Sequence, residues 1–344
     1  MTARVAIHGF GRTGRQTFKA IWQSYRDRLE IAAIGVEDLD DAPAAAHLLK
    51  YDSNYGRFGA AVRVQDGALH VNGSRIPLVA ADSLAELPWQ ALGVDLVIES
   101  TGRYVDGRRA TGHLEAGANK VIITAPTDEA DFTLIYGANE AAYDRAEHHI
   151  VCTSSDTGNC LAAVAKVLDE SFTVDNAMMT AVRAYTNVQK LLDATDRDLR
   201  CARSAPDSIV PTPSRAVASL AHVLPEFAER LGGYAVRVPV PTVSILELTA
   251  QLASPATADE VNQAFRRAAA GPLGRVLAVS DDPLVSTDYR GNTKSAVVDL
   301  PLTLTIGPLV KVSAWYDNEW GYSSRVADAA AFMAEQGTNG HGGL

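Results

Sequence analysis

The stretch RVAIHGFGRTGRQTFKAIWQSY constrains the fold of this chain more than any other. A short β-branched run leads into glycines at 9, 11 and 14, and a helical pattern follows at once. In a G-x-G-x-x-G turn, Gly9 permits the tight bend, Gly11 lets the backbone approach a pyrophosphate, and Gly14 lets helix and strand pack closely. The pyrophosphate then meets the positive end of the helix. A second buried run, LEIAAIGVEDLDD, ends in acids, and Asp38 is read as ending that strand, about the 20 residues on that the fingerprint expects. A carboxylate there accepts hydrogen bonds from the adenosine ribose hydroxyls and repels a 2′-phosphate. With Glu37, Asp40 and Asp41 beside it, NAD is favoured over NADP. Cofactor contacts are expected from Gly9, Phe10, Gly11, Arg12, Thr13, Gly14 and Asp38. The competing reading is a glycine turn without a ligand and acids on a solvated loop.

VDLVIEST (94–101) and KVIITAP (120–126) are further apolar strands, each preceded by helix-like sequence. Strands alternating with helices over roughly the first 150 residues imply an α/β fold with a doubly wound parallel sheet. After about residue 170 the texture changes: NAMMTAVRAYT, RVPVPTVSILELTAQL and SAVVDLPLTLTIGPLVKVSAWYD are longer and alternate more, which implies a large, mostly antiparallel sheet. The expected division is a Rossmann domain over residues 1–155 and a substrate domain over 156–318. A C-terminal amphipathic helix, 319–336, is expected to pack back on the first domain. The Gly-rich tail EQGTNGHGGL is expected to fray.

Composition excludes several classes. A net charge of −10 argues against nucleic acid as a partner. No apolar run reaches the roughly 18 residues that span a bilayer, and no signal peptide is expected at the N-terminus. No zinc-type Cys/His spacing occurs, so no metal is expected. Three cysteines in 344 residues argue against a disulfide framework and for a reducing, cytoplasmic setting.

The segments HGFGRTGR, LLKYDSNYGRF, ESTGRY, KVIITAP, RVPVP and SAWYDNEWGYSSRVAD resemble, in order, those of the glyceraldehyde-3-phosphate dehydrogenase family. The resemblance covers nearly the whole chain. It implies a Rossmann NAD domain, a catalytic domain built on an antiparallel sheet, and a homotetramer. It also implies that Thr101 and Gly102 line the cofactor cleft, with Asn318 on the nicotinamide carboxamide and Tyr322 nearby. Thr186 and Arg237 match residues that hold a substrate phosphate, and Ser155 and Thr157 match part of an inorganic-phosphate site. Ser214 stands for a threonine there. Arg215 replaces a glycine, and either supplies a new anion contact or blocks the old one.

The family's chemistry uses a thiolate at a helix mouth and a histidine base. By the same resemblance this chain has Asp156 in the first place, within CTSSDTGNCLAAVAKVL, and Arg183 in the second, within AVRAYT. Cys160 lies about one turn, or 6 Å, further along the helix. Cys152 lies before the loop, and Cys201 in a distant segment; none is expected to substitute. Asp156 is expected to favour its anion, both as a helix-start residue and as a neighbour of Arg183. Two readings stay open: an N-cap ion pair filling the place of a thiolate–imidazolium pair, or a pair that orients a substrate hydroxyl and grips a carboxylate or carbonyl. The functions these imply are an oxidoreductase for a small anionic carbonyl or hydroxy compound without a thioester, a non-catalytic NAD- or metabolite-binding protein, and, third, the ordinary phosphorylating dehydrogenase.

Overall fold

A computed structural model describes residues 2–338; the fraying expected of the tail concerns mostly residues beyond these. The chain divides into two compact units.

The first unit comprises the chain through Leu134, Glu140–Ser154, and the residues from Ser323 on. Its nine-stranded sheet has Ala3–His8 at the centre. Leu29–Gly35 lies parallel on one side and Leu96–Glu99 parallel on the other. Chain order therefore reverses at the first strand, and ligands of doubly wound sheets bind outside the carboxyl ends of strands at such a reversal. Lys120–Ile123 and Ile150–Cys152 extend the parallel array. On the far side, Ser74–Val79 continues it, and two antiparallel strands close the edge. The central strands are mostly apolar, with Val5, Ala6, Ile7, Val97 and Ile98 fully buried, the pattern of a parallel sheet covered on both faces. The last helix, Trp320–Thr338, contributes its Ser323 onward portion to this unit. There Asp328 accepts from the Tyr25 hydroxyl, and Phe332 packs edge-on against Tyr143. It is less amphipathic than expected, with Val326, Ala327 and Ala330 fully buried beside the buried Arg325–Asp328 ion pair.

The second unit comprises Ile135–Asn139 and Ser155–Tyr322. Its eight-stranded sheet is largely antiparallel, as expected, with parallel pairing at two places. Val174–Ala184 runs antiparallel to Ser244–Leu252 but parallel to Leu231–Val238. Ser244–Leu252 in turn pairs antiparallel with Leu309–Tyr316. The helix Asp156–Phe172 buries Cys160, Leu161, Ala162 and Val164 against this sheet, joining them to Leu246, Val312 and Ala314 in one core.

Candidate active site

In the first unit the glycine turn follows its strand directly. Gly9 has φ +92°, and a Cβ there would lie 2.5 Å from the Thr101 backbone nitrogen. A Cβ on Gly14 would lie 2.0 Å from the Gly9 carbonyl oxygen. Gly11 is different: nothing lies within 4 Å of its Cβ position, so this side of the turn is open to an approaching group. Gly11 also starts the helix Arg12–Ser24 without a side-chain cap or an acid in the first turn. The N–H groups of Arg12, Thr13 and Gly14 therefore face outward with the positive end of the helix behind them. Phe10 is buried, and its carbonyl is held by Arg15 Nη1 at 2.7 Å; Arg12 Nη2 reaches Asp52 at 3.3 Å.

The second strand ends at Gly35, earlier than expected, so Asp38 lies in the loop beyond it and not at its end. The side chain is exposed and accepts from Asp40 N at 2.9 Å, capping the short turn Leu39–Asp41. Glu37 is paired with Arg103 at 2.6 Å, a bridge from the loop after the second strand to the loop after Leu96–Glu99. Thr101 is half-buried, and Gly102 is exposed at φ +72°.

In the second unit the residues around the helix mouth converge. The N-cap is Ser155, whose hydroxyl accepts from Gly158 N at 3.0 Å. This corrects the expectation that Asp156 caps the helix: Asp156 is the first helical residue, and its side chain is free to turn toward the sheet. There Arg183 Nη2 donates to both carboxylate oxygens at 2.6 Å. One nitrogen serves both oxygens, and Arg183 Nε is buried without a hydrogen-bond partner among the described residues. The pair is largely dry, with side chains 10% and 15% exposed for Asp156 and Arg183. Burial works against the Arg183 charge, but the Asp156 carboxylate outweighs it and holds the guanidinium above its ordinary pKa.

Arg237 is the register partner of Arg183 on the neighbouring parallel strand. It donates from Nη1 to the Ala184 carbonyl at 2.8 Å, and no carboxylate of the described residues lies within ion-pair distance. Burial first, then Arg183, lowers its pKa to about 10, so it keeps its charge at neutral pH. The formal sum of Asp156, Arg183 and Arg237 is one positive charge.

Thr157 is buried, with its hydroxyl 2.9 Å from the Tyr316 hydroxyl, so it is engaged within the core. Thr186 lies just past the strand that carries Arg183, its N–H bonded to Gln189 at 3.1 Å. Ser214 is half-buried, and its hydroxyl accepts from Ala216 N at 3.3 Å. Arg215 is exposed at the start of the short helix Ala216–Ala221. Asn318 Oδ1 accepts from Val243 N at 2.9 Å, which leaves its amide Nδ2 to donate. Tyr322 is buried.

No cysteine stands at the helix mouth. Cys152 and Cys160 are fully buried. Burial, reinforced by Asp156, pushes the Cys160 thiol well above its ordinary range. Cys201, expected in a distant segment, lies close enough to Arg237 for each to affect the other's charge; burial and the Asp198 carboxylate push its thiol up as well.

Two family models match this chain: "Glyceraldehyde 3-phosphate dehydrogenase, NAD binding domain" over residues 3–107, and the corresponding "C-terminal domain" over 155–318. The glyceraldehyde-3-phosphate dehydrogenase of Geobacillus stearothermophilus is 48% identical over 338 residues, 98% of this chain and 100% of the relative. Glyceraldehyde-3-phosphate dehydrogenase 1 of Bacillus subtilis is 46% identical over the same shares, and glyceraldehyde-3-phosphate dehydrogenase 2 of Streptomyces arenae 47% over 97% and 99%. The chain belongs to the glyceraldehyde-3-phosphate dehydrogenase family. Its cofactor is NAD. The open Gly11 side and the uncapped helix start fit a pyrophosphate, and the exposed acids after the second strand fit a free ribose 2′-hydroxyl.

One cluster escaped the sequence reading. At the carboxyl ends of the central strands of this family member, Glu99 Oε2 meets His8 Nδ1 at 2.6 Å and His113 Nε2 at 3.0 Å. Trp89 Nε1 donates to His113 Nδ1 at 3.0 Å. An indole nitrogen only donates, so neutral His113 carries its proton on Nε2 and gives it to Glu99. The three side chains lie close enough together to suggest a metal site. The Trp89 hydrogen bond argues otherwise, because it leaves neutral His113 without a lone pair for a cation. Burial opposes the Glu99 charge, but the hydrogen bonds from His113, His8 and Thr101 prevail and bring its pKa to about 2. The one available signal was a histidine directly before the first glycine.

Proposed function

We propose that this chain is an NAD-linked oxidoreductase acting on a small anionic carbonyl or hydroxy compound without a thioester intermediate. Asp156 and Arg183 are read as standing where the family's thiolate and histidine base stand. The observation that carries this reading is the Asp156–Arg183 contact at 2.6 Å, a hard carboxylate at the helix mouth with the nearest helix sulfur buried one turn away. A carboxylate adds to an aldehyde only to give an unstable adduct, so covalent capture is disfavoured.

Bound NAD supplies the hydride acceptor or donor. The chain's own residues bind and orient. Gly9–Gly14 and Asp38 hold the dinucleotide, with Thr101 and Gly102 beside them. Asn318, its oxygen already committed to Val243, offers N–H donors to a carboxamide oxygen. Arg237, a half-buried cation without a carboxylate partner, takes the substrate anion, with Thr186, Ser155, Ser214 and Arg215 as further candidates. Arg183 polarises the carbonyl, and Asp156 accepts a hydrogen bond from a substrate hydroxyl.

A second reading is a non-catalytic NAD- or metabolite-binding protein. The same ion pair favours it, since both side chains are already satisfied by one another. The names of the relatives favour a third, phosphorylating oxidation of glyceraldehyde 3-phosphate. Three free cysteines support a reducing, cytoplasmic setting, and exposed Leu191, Leu192, Leu199 and Ile209 support assembly, read as a homotetramer.

The experiment follows reduced nicotinamide at 340 nm in about one micromolar protein with NAD, phosphate and glyceraldehyde 3-phosphate, then with a panel of phosphorylated and carboxylated aldehydes and alcohols. The proposal expects no turnover of the first substrate and turnover within the panel. Turnover of glyceraldehyde 3-phosphate restores the third reading; NAD binding with no turnover anywhere restores the second.

A further inference from the structure

We infer that His8 is a positioning residue for NAD: by donating to Glu99 it holds the Thr101 wall against the Gly9 turn. The inference rests on the first unit binding NAD at its glycine turn. Glu99 is buried, and both of its oxygens are fully used. Oε2 receives His8 Nδ1 and His113 Nε2, and Oε1 receives Thr101 N at 2.7 Å together with the Thr101 hydroxyl. Four donors fill the acceptor capacity of a carboxylate. Thr101 is in turn the residue whose backbone nitrogen would meet a Cβ on Gly9. The Ser100 hydroxyl ties the same two segments by donating to the Gly9 carbonyl at 2.6 Å.

His8 is the member of this group that belongs to the glycine turn's own strand, and it faces Gly35, Glu99, Tyr104 and His113. A Cβ on Gly35 would lie 2.3 Å from His8 Cδ2, so the imidazole is set between two strands with little room to turn. Losing its donor leaves Glu99 held from the histidine side by His113 alone. The carboxylate can then rotate, and the Thr101 backbone loses the acceptor that fixes it.

The test measures NAD affinity by calorimetry at pH 7.5 in the full chain and in His8→Leu, His8→Asn, Thr101→Val and the His8→Leu/Thr101→Val double variant. One charge-assisted hydrogen bond corresponds to about tenfold in Kd. The inference expects His8→Leu to weaken NAD about tenfold, and His8→Asn, which keeps an N–H donor of similar reach, to stay within about threefold. It expects the loss from His8→Leu to shrink in the Thr101→Val background, because the two act through one carboxylate. Unchanged affinity in His8→Leu, equal losses in Leu and Asn, or additive losses in the double variant each overturn it. Should His8→Leu not fold, the unmodified chain decides: NAD must shift the imidazole ¹⁵N resonances of His8 and His113, and a spectrum unmoved at saturation overturns the inference. Failure of the unmodified chain to bind NAD is a separate result, and it strikes the cofactor reading instead.

Discussion

At the scale of single residues, Asp156 and Arg183 are a mutually dependent pair. Each is mostly buried, and each is the other's counterion. Removing one partner strands a charge in a dry place, which costs about 3–5 kcal/mol, whereas replacing both by apolar groups of similar volume is close to neutral. Arg183→Met and Asp156→Leu are each expected to lower unfolding free energy in urea by that amount, and the double variant to recover most of it. A double variant as unstable as the sum of the singles contradicts this view of the pair. Gly14 is the other position where one atom decides. A methyl group would lie 2.0 Å from the Gly9 carbonyl, so Gly14→Ala is expected to abolish NAD binding detectable at millimolar concentration, measured by calorimetry.

At the scale of elements, the link between Leu96–Glu99 and the helix Gly107–Glu115 is acid-sensitive. Burial, with His8 adding to it, holds the His113 imidazole below its ordinary 6.5 despite Glu99. The unfolded chain takes up that proton first, so His113 contributes stability that is present above pH 6.5 and lost as pH falls below it. Glu99 adds a second step: its pKa of about 2 against an ordinary 4.5 gives stability present above pH 4.5 and lost as pH falls toward 2. Unfolding free energy should therefore fall between pH 7 and 5, and His113→Phe should flatten that slope and also shrink the lower step, because it removes the first of the hydrogen bonds that lower Glu99. An unchanged slope in the variant assigns the effect to other groups.

Much of the first unit's sheet and of the dinucleotide turn was legible from the sequence because both depend on neighbours a few positions apart. The largely antiparallel second sheet was legible too, but the parallel pairings within it were not. An alternating strand such as Val174–Ala184 reads alike whether its partner runs parallel or antiparallel. Ser155 and Asp156 are both good caps, and local pattern does not choose between them; the pull of Arg183, 27 positions on, does. His8 and Glu99 are 91 positions apart and meet only through strand register.

At the scale of the whole molecule, NAD binding and stability are linked. A ligand at a thousand times its Kd adds about 4 kcal/mol to the unfolding free energy. For a Kd on the order of micromolar, millimolar NAD should raise the melting temperature by several degrees. NADP should do so far less, because its 2′-phosphate would face the exposed acids after the second strand. Equal shifts from the two would show that those acids do not select the cofactor. Among the described residues no helix is long and apolar enough to cross a membrane.

The central claim is that the helix mouth offers oxygen where a thioester needs sulfur. Intact-mass spectrometry after incubation with NAD and glyceraldehyde 3-phosphate, with phosphate left out so that an acyl-enzyme would accumulate, addresses it most directly. The unmodified mass is the predicted result, and an added phosphoglyceroyl group on any cysteine of this chain would contradict it.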